Sequence, residues 1–226
     1  MPSRFMAQRR LDRGCSLASP NIQACARKIF DMNVAPVTLE GRRVRMEPLD
    51  LARHFEGLCA IGLDPELWRW TLNVCATPDE LREYLETALA EQQAGRALPF
   101  ATVDVASGRV VGCTRFGNIE TKHRKAEIGW TWVGREFQRS HVNTEAKYLM
   151  LTHAFETWGC VRVELKTNVL NQKSRDAMLR IGCVEEGVLR QHMIGDTGVK
   201  RDTVYYSILD REWPAVKQRL ESMRSL

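Results

Sequence analysis

Apolar and polar positions alternate along this chain with two periods, and the switches between them mark its elements. Residues 37–46 alternate over a short span, with a turn signal at Glu40-Gly41, and predict two short strands. Asp50 precedes a helical run to about Ile61, and Asp64-Pro65 opens a second short helix with proline at its favoured first position. The clearest helix covers 78–94. There Thr77, Pro78 and Glu80 form a capping box, Leu81, Leu85, Ala88 and Leu89 make the apolar stripe, and Gly95 stops the run.

Period two returns at 100–105 and 109–116, joined by a Ser107-Gly108 turn, and again at 125–133. The polar stretch 117–124 reads as a break. In the third of these strands Glu127, Gly129 and Thr131 fall on one face, and Ile128, Trp130 and Trp132 on the other. A loop at 134–142 leads into a helix over 144–158, ended by Gly159. A strand at 161–167, a helix at 171–181 stopped by Gly182, and strands at 184–194 and 199–208 follow. A last helix at 211–223 turns Trp213, Val216 and Leu220 toward the body. The order predicts an α/β chain with a mixed sheet, one domain over 36–226 with no internal repeat.

Composition narrows the function classes. The 226 residues are 44% apolar, enough for a sizeable core. No stretch approaches the ~20 apolar residues of a membrane span, which argues for a soluble chain and against a membrane partner. Of the net charge of +5, residues 1–31 carry +4, so the globular part is nearly neutral and a nucleic-acid partner is disfavoured. Residues 1–35 read as a basic, disordered N-terminal extension, with a targeting or binding arm as the alternative and Met32 as a second start. The seven cysteines form no C-x-x-C pair, which argues against a metal site or disulfide framework and for a reducing, cytoplasmic setting. His54, His123 and His153 share no metal-ligand spacing either.

The segment with chemical promise runs from Glu127 to Lys147. A strand ends, a short loop follows and a helix begins. The first amides of a helix have no partner within it and lie at the positive end of its dipole, so they can hold a pyrophosphate. Arg139 adds a positive side chain nearby. An ordinary connection would look similar, so this physics alone leaves the matter open.

Gln138-Arg139-Ser140-His141-Val142-Asn143 resembles motif A of the GNAT superfamily, Gln/Arg-x-x-Gly-x-Gly/Ala. With Thr144-Glu145-Ala146-Lys147 it is similar to the RimJ/RimL-type branch. Further blocks agree in order: 37–49, 161–168, 171–175, 184–190 and 201–208. The resemblance spans about 37–220 and implies a splayed, mostly antiparallel sheet flanked by helices. Two motif glycines are replaced, by His141 and Asn143. Glycine lets backbone approach phosphate closely, so a side chain at His141 either crowds the loop or helps hold phosphate, while Asn143 is the milder change.

What the resemblance implies is an acetyl-CoA-dependent N-acetyltransferase in which a neutral amine attacks the thioester directly, with no metal. It implies Glu127 as the general base, through water, with a raised pKa. A backbone N–H on the Trp132–Val133 edge serves as oxyanion donor, and Gln138, Arg139, Ser140, His141, Val142, Asn143 and Thr144 hold the pyrophosphate. Asn171 contacts the pantetheine arm. The tyrosine that many members use as acid is replaced by Met178, and the role passes to Ser174. Trp68, Trp70, Trp130, Arg190, His192 and Tyr206 are the acceptor-site candidates, with core packing the competing reading for the tryptophans. Glu127 has its own competitor, a plain ion pair with a nearby lysine or arginine.

Three functions stay open at this point. One is acetylation of a protein N-terminal amine, another the same chemistry on a small amine. The third is a degenerate acyl-CoA-binding or regulatory module, favoured by His141 and the missing tyrosine. The oligomeric state stays open too, and a homodimer is compatible, since dimers are common in the superfamily.

Overall fold

The computed structural model describes residues 32–225, so the expectation for 1–31 lies outside the described residues. Eight strands form one sheet: β1 Leu39–Glu40, β2 Val44–Pro48, β3 Leu98–Asp104, β4 Val110–Glu120, β5 Lys125–Val133, β6 Arg162–Asn168, β7 Val184–Ile194 and β8 Lys200–Leu209. Their spatial order is β1-β2-β3-β4-β5-β6-β8-β7. Every neighbouring pair is antiparallel except β5 with β6. That parallel pair needs a crossover, which α4 His141–Thr152 supplies.

Helices cover both faces. On one side α4 and α6 Trp213–Arg224, with α5 Gln172–Ile181, pack on a core that includes Phe100, Phe116, Ile128, Met150, Trp158 and Tyr206. On the other, α1 Leu51–Gly62, α2 Pro65–Trp68 and α3 Pro78–Gln93 enclose a second core of Leu58, Trp68, Leu81, Leu85 and Trp132. Met32 is buried in the first core and Asn33 O accepts from Trp158 Nε1 at 3.0 Å, so residues 32–35 pack on the body. Among the described residues no helix is long and apolar enough to cross a membrane.

Local signals in the sequence account for most boundaries. The capping box at Thr77 is formed in both directions, Glu80 N to Thr77 Oγ1 and Thr77 N to Glu80 Oε2. Gly182 ends α5 at φ +105°, a conformation costly for any other residue. Two expectations are corrected. The polar stretch 117–120 is not a break: β4 continues through it to Glu120, with irregular pairing between Gly117 and Glu120. Helix α4 begins at His141 rather than 144, because Ser140 takes the cap position and accepts from Val142 N at 3.3 Å.

A third correction concerns β5. Arg115 pairs with Gly129 but Cys113 pairs with Trp132, so one extra residue bulges from β5. Trp130 occupies the bulge at φ +51°. Strict alternation therefore fails. Ile128 joins the core under α4, whereas Trp132 joins the core under α1 and α3.

Candidate active site

The parallel ladder between β5 and β6 is short. It pairs Lys125 with Arg162, Ala126 with Val163 and Glu127 with Glu164. Among the described residues it then stops, although β5 runs on to Val133 and β6 to Asn168. The two strands part beyond Glu127, and the bulge at Trp130 falls where they do.

The diverging edge of β5 presents unused backbone groups. Gly134 N donates to Val111 O at 2.9 Å, and Gly112 pairs with Val133. In an antiparallel ladder successive amides point to opposite sides. Trp132 N–H therefore faces β4, and Val133 N–H faces the gap. Of the expected Trp132–Val133 edge, only Val133 has a free amide. Trp132 contributes its ring to the second core, 5.8 Å from Trp68.

The gap ends at the N-terminus of α4. Arg139 turns the chain into the helix at φ +60° and is exposed, and Val142 is buried as a core anchor. Ser140 Oγ caps Val142 N and donates to Phe137 O at 2.6 Å. Gln138 bridges two elements: its Nε2 donates to Val133 O at 3.0 Å and its Oε1 accepts from Lys173 Nζ at 3.0 Å. Thr144 Oγ1 accepts from Arg180 Nη2 at 2.9 Å. Asn143 Oδ1 is buried and finds no partner among the described residues. His141 turns away from the loop toward the β3–β4 hairpin, with Nε2 3.4 Å from Asp104 Oδ1.

This corner is thus basic, with Arg139, Lys173 and Arg180 around a helix N-terminus, a donor set suited to a pyrophosphate. Lys173 and Arg180 escaped the sequence reading. They lie on α5, and only the fold brings them to α4. Asn171 caps α5, accepting from Ser174 N at 3.2 Å, so its carboxamide oxygen is already engaged. Ser174 is half-buried in the first turn of α5, and its hydroxyl makes no hydrogen bond among the described residues.

At the point where the strands part lies Glu127, 2% exposed. Its Oε2 accepts from Lys166 Nζ and from Asn118 Nδ2, each at 2.8 Å. Trp130 leans over this group: Arg115 sits 4.1 Å from its ring centroid and Lys166 Nζ 5.9 Å. Gly117 is what makes room, since a Cβ there would meet the Trp130 ring. Tyr205 and His192 close the far side, ring centroids 5.6 Å apart, and Lys166 Nζ is 5.6 Å from the Tyr205 ring. Burial, with the charges of Lys166 and Arg201, lowers the pKa of His192.

Several acceptor-site candidates stand elsewhere. Trp68 is 3% exposed, donates to Gly62 O at 2.7 Å and stacks edge-on with Tyr84, which makes it a core residue. Tyr206 is fully buried in the first core, where its hydroxyl donates to Glu185 Oε2 and accepts from Arg175 Nε. The residue facing Glu127 is Tyr205, one position earlier, as the β8 register with Lys166 requires. Arg190 is exposed on β7, and Trp70 is half-buried with Arg69 over its ring. Among the described residues no group of His, Cys, Asp and Glu could hold a metal.

Comparison with known proteins agrees with this geometry. The family model of the acetyltransferase (GNAT) domain matches residues 43–184. The chain is 39% identical over 110 residues to the "Putative ribosomal N-acetyltransferase YdaF" of Bacillus subtilis. That match covers 49% of this chain and 59% of that protein, less than two thirds of the relative's length. A GCN5-related N-acetyltransferase of Brucella melitensis superposes with a TM-score of 0.77 at 34% identity, over 83% of this chain and 85% of that one. RimJ of Mycobacterium smegmatis, solved with CoA-disulfide, gives a TM-score of 0.70 at 25% identity, over 84% and 96%. The motif, the parted strands and the matching family model have one explanation: the chain belongs to the GNAT acetyltransferase family.

Proposed function

We propose that the chain transfers an acetyl group from acetyl-CoA to a primary amine, on a protein N-terminus or on a small molecule. The observation that carries this reading is the end of the β5–β6 ladder at Glu127, beside a basic helix N-terminus. The gap offers backbone hydrogen bonds to an extended pantetheine arm. Gln138, Arg139, Ser140, Asn143 and Thr144, with Lys173 and Arg180, hold the pyrophosphate. His141 does not block that corner, because its ring is directed at Asp104. This favours an active enzyme over a degenerate module. Two relatives, named a putative ribosomal N-acetyltransferase and a ribosomal-protein-serine acetyltransferase, support a protein amine as acceptor. The free thiols of Cys75, Cys113, Cys160 and Cys183 support a cytoplasmic setting.

In this mechanism the acceptor ammonium loses its proton to Glu127 through water. The amine nitrogen then bonds to the thioester carbon, Val133 N–H steadies the developing oxyanion, and the C–S bond breaks. The departing thiolate takes up the second proton of the attacking nitrogen, relayed through the hydroxyl of Ser174, which is otherwise unengaged and ends the step protonated as it began. Lys166 and Asn118 fix the rotamer of Glu127.

The test is thiol release from acetyl-CoA with an amine panel, for wild type and Glu127→Gln. A fall of about 100-fold in kcat, with KM for acetyl-CoA within about threefold, is the expected result for a lost base. An unchanged kcat would reduce Glu127 to an ion-pair residue.

A further inference from the structure

The face of the sheet around Glu127 carries more cationic charge than its hydrogen bonds use. Arg115 is 7% exposed and Arg201 9%. Among the described residues neither guanidinium makes a hydrogen bond, and Nε of each, with Nη1 of Arg115, is buried without a partner. Thr203 Oγ1 and His192 Nδ1 are likewise buried and unpaired. Buried polar atoms are nearly always hydrogen-bonded, and an unpaired guanidinium is among the costliest exceptions.

These groups share one face. Arg115 pairs with Gly129, two residues from Glu127 on the same side of β5. Glu127 binds Lys166, and Lys166 pairs with Tyr205 on β8. Thr203 and Arg201 follow Tyr205 at alternate positions, on the same face. Arg115 and Lys166 both lie near the Trp130 ring, and Arg115 also near the Tyr84 ring. Arg201 is close enough to Glu127 and Tyr205 to feel both electrostatically. The other nearby carboxylates are occupied: Glu91 is paired with Arg96, and Glu164 with Arg162 and Lys125. Among the described residues Glu127 is the carboxylate that Lys166 binds and that Arg201 feels. The segment after α2 is joined to the β7–β8 turn, Asp196 N donating to Leu72 O at 2.9 Å.

An acceptor amine arrives as a cation. A cluster with surplus positive charge disfavours a simple amine or polyamine there. It suits one whose amine is accompanied by an anion. We propose that the acceptor carries a carboxylate close to its reacting amine, and that Arg201, with Arg115, binds that carboxylate while Glu127 receives the proton. Guanidinium suits this task because its planar fork matches a carboxylate. The chemistry is shared by the acidic N-terminus of a peptide and by a free acidic amino acid. The inference rests on the acetyltransferase reading above and specifies its acceptor.

The experiment uses the full chain and two matched acceptor pairs: Ser-Asp-Glu-Ala amide against Ser-Asn-Gln-Ala amide, and free aspartate against asparagine amide, which lacks both carboxylates. Thiol release gives kcat/KM for each, and calorimetry on the same samples gives acetyl-CoA affinity. Wild type is expected to favour the acidic member of one pair by about tenfold or more, and the pair that shows it tells peptide from amino acid. The preference is expected to collapse to within about threefold in Arg201→Gln or Arg115→Gln and to survive better in Arg201→Lys, which keeps the charge. Circular dichroism of each variant separates this from unfolding. Equal rates within both pairs, or a preference that neither Gln variant moves, overturns the proposal. Bound acetyl-CoA with no transfer to any of the four overturns it too, while leaving the cofactor reading intact. No acetyl-CoA binding by wild type removes both.

Discussion

Single residues carry both the chemistry and the clearest physical signatures of this fold. Lys147 is one. It is 5% exposed, its Nζ donates to Thr131 Oγ1 at 2.9 Å, and burial lowers its pKa to about 8. The unfolded chain therefore holds a proton on Lys147 that the folded chain releases between about pH 8 and 10.5. Below that window the folded state bears the cost of a buried ammonium, about 3 kcal/mol, and the cost fades as pH rises through it. Four buried thiols, Cys75, Cys113, Cys160 and Cys183, are raised to about 12 and act in the opposite sense. The comparison is thus between wild type and Lys147→Met, which share those thiols. Urea unfolding at pH 7 is expected to find Lys147→Met the more stable, with the difference shrinking by pH 10. A difference independent of pH would mean that Lys147 does not titrate in that window. Legibility was mixed at this scale. Glu127 was singled out because the family motif marks its strand, and its partners Lys166 and Asn118 were not, since they come from other strands. Trp68 and Tyr206 were misassigned because residue type announces an aromatic without saying which face of the sheet it occupies.

Among the elements, α4 is the one on which others converge. Glu145, 1% exposed, accepts from Arg42 N and Arg43 N in the β1–β2 turn and from Arg224 Nη2 at the end of α6. Burial alone would raise its pKa, but Arg224 and the two amides outweigh that and lower it. A lowered carboxylate pKa stabilises the fold above the unfolded value near 4.5 and is lost as pH falls. Glu145→Ala is expected to cost about 3–5 kcal/mol in urea unfolding, as removal of one partner from a buried pair does. Its acid limb should also flatten relative to wild type. A loss below ~1 kcal/mol would mark the contact as incidental. At α3 the requirement is smaller. Thr77→Ala removes one half of the capping box and should cost about 1 kcal/mol, read as a fall in Tm. Cap residues and glycines explain why helix ends were legible to within a few residues. The start of α4 was placed late because Ser140 and the apolar Val142 were both read as loop. The β5 bulge was invisible, because nothing in alternating Ile128, Trp130 and Trp132 announces an extra residue.

For the whole molecule, the order of strands and helices was readable from the residues themselves, and the opening between β5 and β6 only as what the family resemblance implied. It follows from tertiary pairing: a parallel ladder that ends at Glu127, a bulge at Trp130, and a crossover helix that starts beside the gap. One edge of that gap carries the Val133 amide, Lys173 reaches the end of β5 through Gln138, and Glu127 lies where the strands part. The measurement that tests this arrangement most directly is calorimetric titration of the full chain with acetyl-CoA, in wild type and in Arg139→Glu, a charge reversal at an exposed position. Micromolar binding by wild type, weakened about tenfold or more in the variant and steeply salt-dependent, is the predicted result. No binding by wild type, or equal affinity in both proteins, would contradict a pyrophosphate held at the N-terminus of α4.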